Sequence, residues 1–549
     1  NVYRDTSSGV IVDPAYQVAT GVATSAHSDL GLTQLTTYYY VVTAVDTSTN
    51  ESAASNEASA TTQELTCGSP SGGPSDNPVA TFYGSGAYPW TDNIQWECVY
   101  NVTDYSGSTD MDKYIAARDD CVANGGGVVY FPSGTYYFDD DLYLRDGVVI
   151  RGATPTTTDA KNSSFAPPTK FEFPEYTGPG GEDAAFKKVL TEYGETDSNI
   201  GVVWVDINRA CVHLQPSVAT PWDTGITGQN MVVFGTRTNN VGSPDPSVPD
   251  PAYGQESWQR WCYRFNYNLK LYNYADLMCA NNRMNDNVTD NFEQPGYVIK
   301  MADSSYQALE GYQAVFDYTL HYGIEIGKGD HSWGPGTPET MPANFRTGIT
   351  IRDNWIYHTA RVAVMQRGDG TEVLDNVIRD NSGKVHWVDP TGRKQLQGHM
   401  TMENRGIDFA GYNLLIDGND YEVYRHDIGW DSYLTCDGEG IMSQECCGGT
   451  YMFHETITNN YGPQTTYIGL YKVQDIWDVY IYNNDVNAGN IYVNANTNAA
   501  SYPCDDVIID NNTVAGNILL LGDVNGSGNQ ITNNTGSGGH IQWSCETNA

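Results

Sequence analysis

The 549-residue chain reads as an all-β solenoid, with short parallel strands wound one rung after another, a helix closing one end, and a small separate β-module in front. Three observations predict this. Residues 125–152, GGGVVYFPSGTYYFDDDLYLRDGVVIRG, hold four short apolar runs punctuated by Gly, Pro and Asp. Runs this brief and evenly broken fit strands and not a helix. Just upstream, residues 111–124 (MDKYIAARDDCVAN) put Tyr114, Ile115, Ala117, Cys121 and Val122 at helical spacing. Late in the chain related segments return, among them ITIRDNWIYHTA, TEVLDNVIRDN, VYIYNNDVNAGNIYVN and DVIIDNNTVAGNILLLG. Such self-similarity marks a solenoid.

The elements follow in order. Residues 1–63 form the separate module: NVYRD begins a strand, and Tyr38, Tyr40, Val42 and Ala44 share one side of an alternating strand. Residues 64–77, rich in Gly, Ser and Pro, read as a linker. The solenoid takes residues 78–549. Asp110 is the expected N-cap of the helix, which hides a sheet edge that would otherwise pair with a neighbour. Strands are expected at Val128 to Phe131, Tyr136 to Phe138, Leu142 to Leu144 and Val148 to Ile150. Residues 154–197 are polar and Pro-rich and read as a loop excursion. Residues 201–208, 230–235 and 297–301 are strand-like, 242–253 form a Pro-rich loop, and the aromatic- and Arg-rich 257–279 read as a packed insertion.

Asn354 and Asn376 lie 22 residues apart, as do Asn511 and Asn533, which is one three-sided rung. The pattern apolar-x-apolar-x-Asn-Asn recurs at Asn483, Asn511 and Asn533. Asn tolerates the left-handed backbone that a corner needs, and its amides can stack as a ladder. Asn511 and Asn533 also begin N-x-T sequons, which matter only in a glycosylating host.

With 67 acidic and 28 basic residues, the formal charge is -39. A nucleic-acid partner is excluded because the duplex would be repelled, and anionic membrane surfaces are disfavoured. The acidity suits an extracellular setting, or Ca²⁺. The Asp-rich turn at Asp139, Asp140 and Asp141 is the Ca²⁺ candidate, although no loop has the oxygen spacing of a strong site. The 39 tyrosines and 12 tryptophans fit stacking along a core better, residue for residue, than stacking on sugars. Eleven cysteines without a C-x-x-C pair point to disulfides, not zinc. Proximity suggests Cys98 with Cys121 and Cys262 with Cys279; Cys446 and Cys447 pair elsewhere, and the odd count leaves a thiol. No apolar run reaches the length of a membrane span. The chain begins with Asn and has no signal-like segment, which reads as a processed or partial product.

The order helix, Gly-Gly-Gly, strand, P-x-G-x-Y, strand, L-x-L, V-x-I-x-G resembles the N-terminal cap and first rungs of the pectate-lyase-like right-handed parallel β-helix superfamily. Residues 1–63 resemble the C-terminal part of a fibronectin type III domain, with Leu32 and Tyr38 where that family has its tyrosine corner, and with no counterpart of its first two strands. The expected fold is therefore a right-handed parallel β-helix with an N-terminal cap helix, plus a partial fibronectin type III sandwich. The β-helix resemblance implies an enzyme or binder acting on an acidic polysaccharide, and the superfamily also holds non-catalytic adhesins and fibre proteins.

Hydrolysis needs one protonated and one ionised carboxylate; elimination needs a base and a cation beside the uronate. The densest set of suitable residues lies within 399–455. Asp408 and Asp427 are the expected neighbouring carboxylates and Glu439 a second acid, with Arg405, His426 and Asp437 as substrate- or proton-handling groups. The motif sets of polygalacturonases and the Arg signature of pectate lyases are not found here. Two functions follow: a secreted hydrolase or lyase working on polysaccharide, or a non-catalytic extracellular subunit (filament, surface layer or adhesin). In the second, copies of the chain would join by strand addition at the incomplete sandwich.

Overall fold

Thirteen side chains stack as successive register partners down one wall of the molecule: Tyr100, Val129, Ile150, Val202, Val233, Cys279, Ile351, Val373, Ile416, Ile457, Ile481, Ile509 and Ile531. The first twelve are almost wholly removed from water. Each large side chain so buried contributes about 1.5–3 kcal/mol, so this column alone fixes the rung register.

The computed structural model describes residues 1–20, 36–46, 50–62, 67, 71–174, 187–191, 198–215, 228–239, 266–272, 274–285, 321–327, 348–357, 362–367, 370–381, 385–388, 395–398, 404–410, 413–423, 426–427, 435–436, 438–444, 452–462, 467–471, 476–486, 489–495, 504–522, 526–536 and 539–543. From Val99 onward they form a right-handed parallel β-helix of three long sheets with 13, 8 and 12 strands. As far as Asp420–Val423, where the 8-stranded sheet ends, successive rungs visit the sheets in that order. Ile349–Arg352 lies in the 13-stranded sheet, Trp355–Tyr357 in the 8-stranded and Val362–Arg367 in the 12-stranded; Glu372–Leu374 then pairs beside Ile349–Arg352.

The corner between the 13- and 8-stranded sheets takes two residues with separate duties. The first is left-handed: Asn281, Asp353, Asp375, Gly418, Asn459, Asn483, Asn511 and Asn533 have φ between 52° and 69°. The second points inward. Asn282, Asn354, Asn376, Asn419, Asn460, Asn484, Asn512 and Asn534 form one ladder, each amide donating to the Oδ1 of the next at 2.9–3.1 Å. The expected corner asparagines are therefore present but divided. Asn354 and Asn376 are ladder rungs, whereas Asn483, Asn511 and Asn533 supply the left-handed turn. Gly418 replaces the usual polar residue at one turn, where a Cβ would stand 2.5 Å from Asp375 Oδ1.

The cap helix is Asp110–Ala123, with Tyr114, Ala117 and Cys121 on its buried face and Ile115 exposed. Its N-cap is Thr109, not Asp110. The Thr109 hydroxyl accepts the Asp112 N–H while the Asp112 carboxylate accepts the Thr109 N–H, a reciprocal box that a cap one residue later could not close.

The cysteine pairing differs from proximity in sequence. Cys98 is bonded to Cys67, and Cys121 and Cys279 keep buried thiols, so neither Cys98–Cys121 nor Cys262–Cys279 forms. Cys504 is also disulfide-bonded. The disulfide ties the stretch read as a linker to the first rung. So do Ser71, whose N–H donates to Val99 O, and Asp76, which meets the fully buried Arg151 guanidinium at 2.8 Å. The excursion expected over 154–197 also contains strands. Thr169–Glu172 and Lys187–Thr191 each join a sheet, because Phe171 and Val189 alternate into the core.

Before the β-helix, Val2–Asp5 pairs antiparallel with Gln17–Ala19 and Thr37–Val42, and Thr37–Val42 with Ala58–Thr61, giving a four-stranded sheet. Burial slips within Thr37–Val42: Tyr38 and Val41 are buried and Val42 is exposed, so Tyr38 and Val42 do not share a covered face. Leu32, Cys262, Asp437, Cys446, Cys447 and residues 242–253 and 297–301 lie outside the described residues.

Candidate functional site

Packing distinguishes the outer faces of the long sheets. Over its N-terminal half the 13-stranded sheet is covered. Val79, Ile94, Trp96, Ala160 and Phe165 close a second apolar core on the outward Val128, Val149, Val203, Val232 and Met278. The outer face of the 12-stranded sheet carries a different set. In register, one per rung, stand His213, Lys270, Glu325, Met365 and Asp408. Their neighbours in sequence (Val212, Leu269, Ile324, Val364, Ile407) are core residues, so strand alternation turns these five outward.

Aromatic rings brace the strip. The Lys270 ammonium lies 4.6 Å from the Tyr267 ring centroid and 5.3 Å from that of Tyr272. The His213 ring meets Tyr267 edge-on at 5.7 Å. The Tyr272 hydroxyl donates to the Glu325 carboxylate. Lys270, Tyr272 and Glu325 are half-buried, whereas Asp408 is buried. Rungs are spaced about 4.8 Å apart, so Lys270 and Glu325 are adjacent and Glu325 and Asp408 are about 9.6 Å apart along the column. The strip offers a cation, a phenol on a carboxylate, and a second carboxylate two rungs away.

The residues singled out from sequence fall in three places. Arg405 and Asp408 share the strand Asn404–Ala410 of the 12-stranded sheet. Glu439 is the register partner of Arg405 one rung on, while Asp408 faces Met365 and Met442. His426 and Asp427 lie in a short antiparallel pairing with Thr435–Cys436, outside the three long sheets. The structure thus brings Arg405, Asp408 and Glu439 onto neighbouring strands and sets Asp427 off the rung that follows Asp408. His213, Lys270, Tyr272 and Glu325 were missed. Their strands, ACVHL, NYNLKLY and HYGIEIG, do alternate, but the long insertions between them hide which residues share a rung.

A second polar cluster sits outside the asparagine-laddered corner. Asp353 accepts from Lys161 Nζ at 2.6 Å, Arg352 Nε at 2.8 Å and the Tyr83 hydroxyl at 3.0 Å, and Arg352 also donates to the Tyr88 hydroxyl. Burial pushes the Asp353 carboxyl up, but the bonds and charges of Lys161 and Arg352 outweigh it and hold the group below the usual carboxylate range. Asp375, one rung on, is raised by burial and by the Asp353 charge. With Asp353 so fully engaged, the cluster clasps the N-terminal segment to the tower. Among the described residues no group of three or more His, Cys, Asp or Glu could hold a metal ion. Asp140 and Asp141 instead accept from Lys187 Nζ and the Lys188 N–H.

No family profile and no curated protein matches the chain. Solved structures similar to it include the A-module of a mannuronan C-5 epimerase from Azotobacter vinelandii, at 13% identity and TM-score 0.41, covering 81% of this chain and 97% of that one. A surface adhesin of Streptococcus pneumoniae matches at 14% identity and TM-score 0.37 over 80% and 91% of the two chains. A family 28 exopolygalacturonase of Yersinia enterocolitica matches at 13% identity and TM-score 0.37 over 94% and 85%.

Proposed function

We propose that the chain is an extracellular protein acting on an acidic polysaccharide, which lies along the outer face of the 12-stranded sheet. The observation that supports this best is the register column His213, Lys270, Glu325, Met365, Asp408, with Tyr272 bonded to Glu325. The column suits β-elimination. Lys270 would neutralise a uronate carboxylate, which acidifies the neighbouring C5 proton. The Tyr272–Glu325 pair would take that proton as the C4–O bond breaks, the C4–C5 double bond forms, and the departing oxygen is protonated by solvent or Asp408. Arg405 and Glu439, one column over, would bind flanking sugars; His426, Asp427 and Asp437 would serve as more distant substrate contacts. Hydrolysis is the variant reading, favoured by the spacing of Glu325 and Asp408, which is close to the upper end of the inverting range of about 6.5–9.5 Å.

The test is a panel of acidic polysaccharides read two ways, by absorbance of unsaturated uronates and by new reducing ends. Elimination raises both signals, hydrolysis only the second; neither signal on any substrate refutes catalysis.

A second reading rests on the strand Ala58–Thr61, which is exposed throughout and, among the described residues, pairs on one side, with Thr37–Val42. We read residues 1–63 as a fibronectin type III-like module whose free edge accepts a strand from another copy, as in a filament. Electron microscopy of the purified protein decides it: single particles at all concentrations exclude this assembly.

A further inference from the structure

We propose that the outer face of the 8-stranded sheet is a second glycan-binding platform, built around Trp355 and separate from the strip on the 12-stranded sheet. The inference rests on the polysaccharide reading above. Arg237, Arg283 and Trp355 are register partners on three successive rungs, and Arg379 follows on the next, opposite Tyr357. Thr238, Met284 and Ile356, the residues after the first three, are buried, so alternation turns Arg237, Arg283 and Trp355 outward. The Trp355 ring is attended by two guanidinium groups, Arg283 at 4.9 Å and Arg379 at 5.9 Å from its centroid. Four rungs carry this set over about 14 Å.

The concentration of cations is out of keeping with the rest of the chain, which has 28 basic against 67 acidic residues. Three arginines and an indole on one face match an acidic glycan: the ring is a stacking surface for a sugar, and the guanidinium groups attract carboxylate or sulfate, although Asp420 already takes both arms of the Arg379 fork. Carboxylates are present too. Asp420 pairs with Arg379, and Asp206 stands 3.8 Å from Arg237. They orient the guanidinium groups, and Arg237 and Arg379 each keep about 29% of their side chain in solvent. Arg283 donates to the carbonyls of Ala160 and Asn162, which fixes its plane against the indole. Burial and the nearby Arg237 charge depress the Arg283 pKa, and a bound anion would act in the opposite direction.

Affinity electrophoresis of the full chain tests this, in gels cast with polygalacturonate, alginate or neutral dextran. The wild type should be retarded by an acidic gel and not by dextran. Trp355→Ala and Arg237→Glu should weaken that retardation roughly fivefold or more, Trp355→Phe should keep most of it, and Ile115→Ala, on the exposed side of the cap helix, should leave it unchanged. Urea midpoints of all variants report whether the fold is intact. Wild-type retardation in folded Trp355→Ala and Arg237→Glu overturns the platform. If Lys270→Met alone abolishes retardation, the polysaccharide reading stands and the platform falls. If no acidic gel retards the wild type, both fall.

Discussion

The laddered corner and the outer face of the 12-stranded sheet are built on the same rungs, yet they obey opposite rules. At the corner the rungs from Asn282 to Asn534 repeat one residue type, and each amide bonds to its counterpart on the next rung. On the outer face no residue type recurs: His, Lys, Glu, Met and Asp follow one another down one column. Repetition serves the scaffold, because identical side chains at a fixed spacing can satisfy one another. Variation serves recognition, because a ligand crossing several rungs meets a different group at each.

The comparison can be broken by single substitutions. Glu325→Gln should lower kcat/KM on an acidic polysaccharide by about 10²–10⁴-fold with little change in the urea midpoint. An unaffected rate would remove the outer face from the chemistry. Asn376→Ala should do the reverse. It takes the Asn376 partner from the buried Asn354 N–H and Ile351 carbonyl and leaves the Asn354 amide only its bond to Cys279 O, at a cost of about 2–3 kcal/mol. The readout is a clear fall in denaturation midpoint; a drop below about 1 kcal/mol would mean the ladder is decoration.

Smaller effects sharpen the picture. Asp353 has a depressed pKa in the folded chain, so the unfolded chain binds more protons between the two values. Its contribution is present above the unfolded carboxylate pKa of about 3.9 and is lost as pH falls through the folded value. Asp375, raised by burial and by Asp353, works in the opposite sense: stability declines as pH rises from about 3.9 through its folded value. Melting curves at stepped pH should show Asp353→Asn losing the acid-side slope and Asp375→Asn gaining stability toward neutral pH. Smallest of all, Ile115→Glu on the exposed side of the cap helix should shift stability by under about 0.5 kcal/mol, whereas Ala117 on the buried side tolerates no such change.

What could be read from sequence follows from this division. The first rungs and the cap were legible because their strands follow one another with turns of only a few residues. The asparagines were legible because they repeat, although which of each pair turns the chain and which stacks required the backbone. Local density singled out Asp408, Arg405 and Glu439, which share two neighbouring strands. Lys270 and Glu325 were not found, because neighbours on the sheet are dozens of residues apart in sequence and nothing in either strand names its partner. The thiol assignment failed for a similar reason: Cys98 is bonded to Cys67, before the helix, and Ser71 and Asp76 of the same stretch also meet the first rungs.

Two of the three buried thiols among the described residues make the tower its own clock. Cys121 belongs to the helix at one end and Cys279 to the long apolar column midway, and both are sealed from solvent. A stack of near-independent rungs opens from its ends inward. An alkylating reagent would therefore reach Cys121 when the lid frays and Cys279 only after the rungs above or below have parted. The interval between the two labelling events measures how far cooperativity travels along the chain.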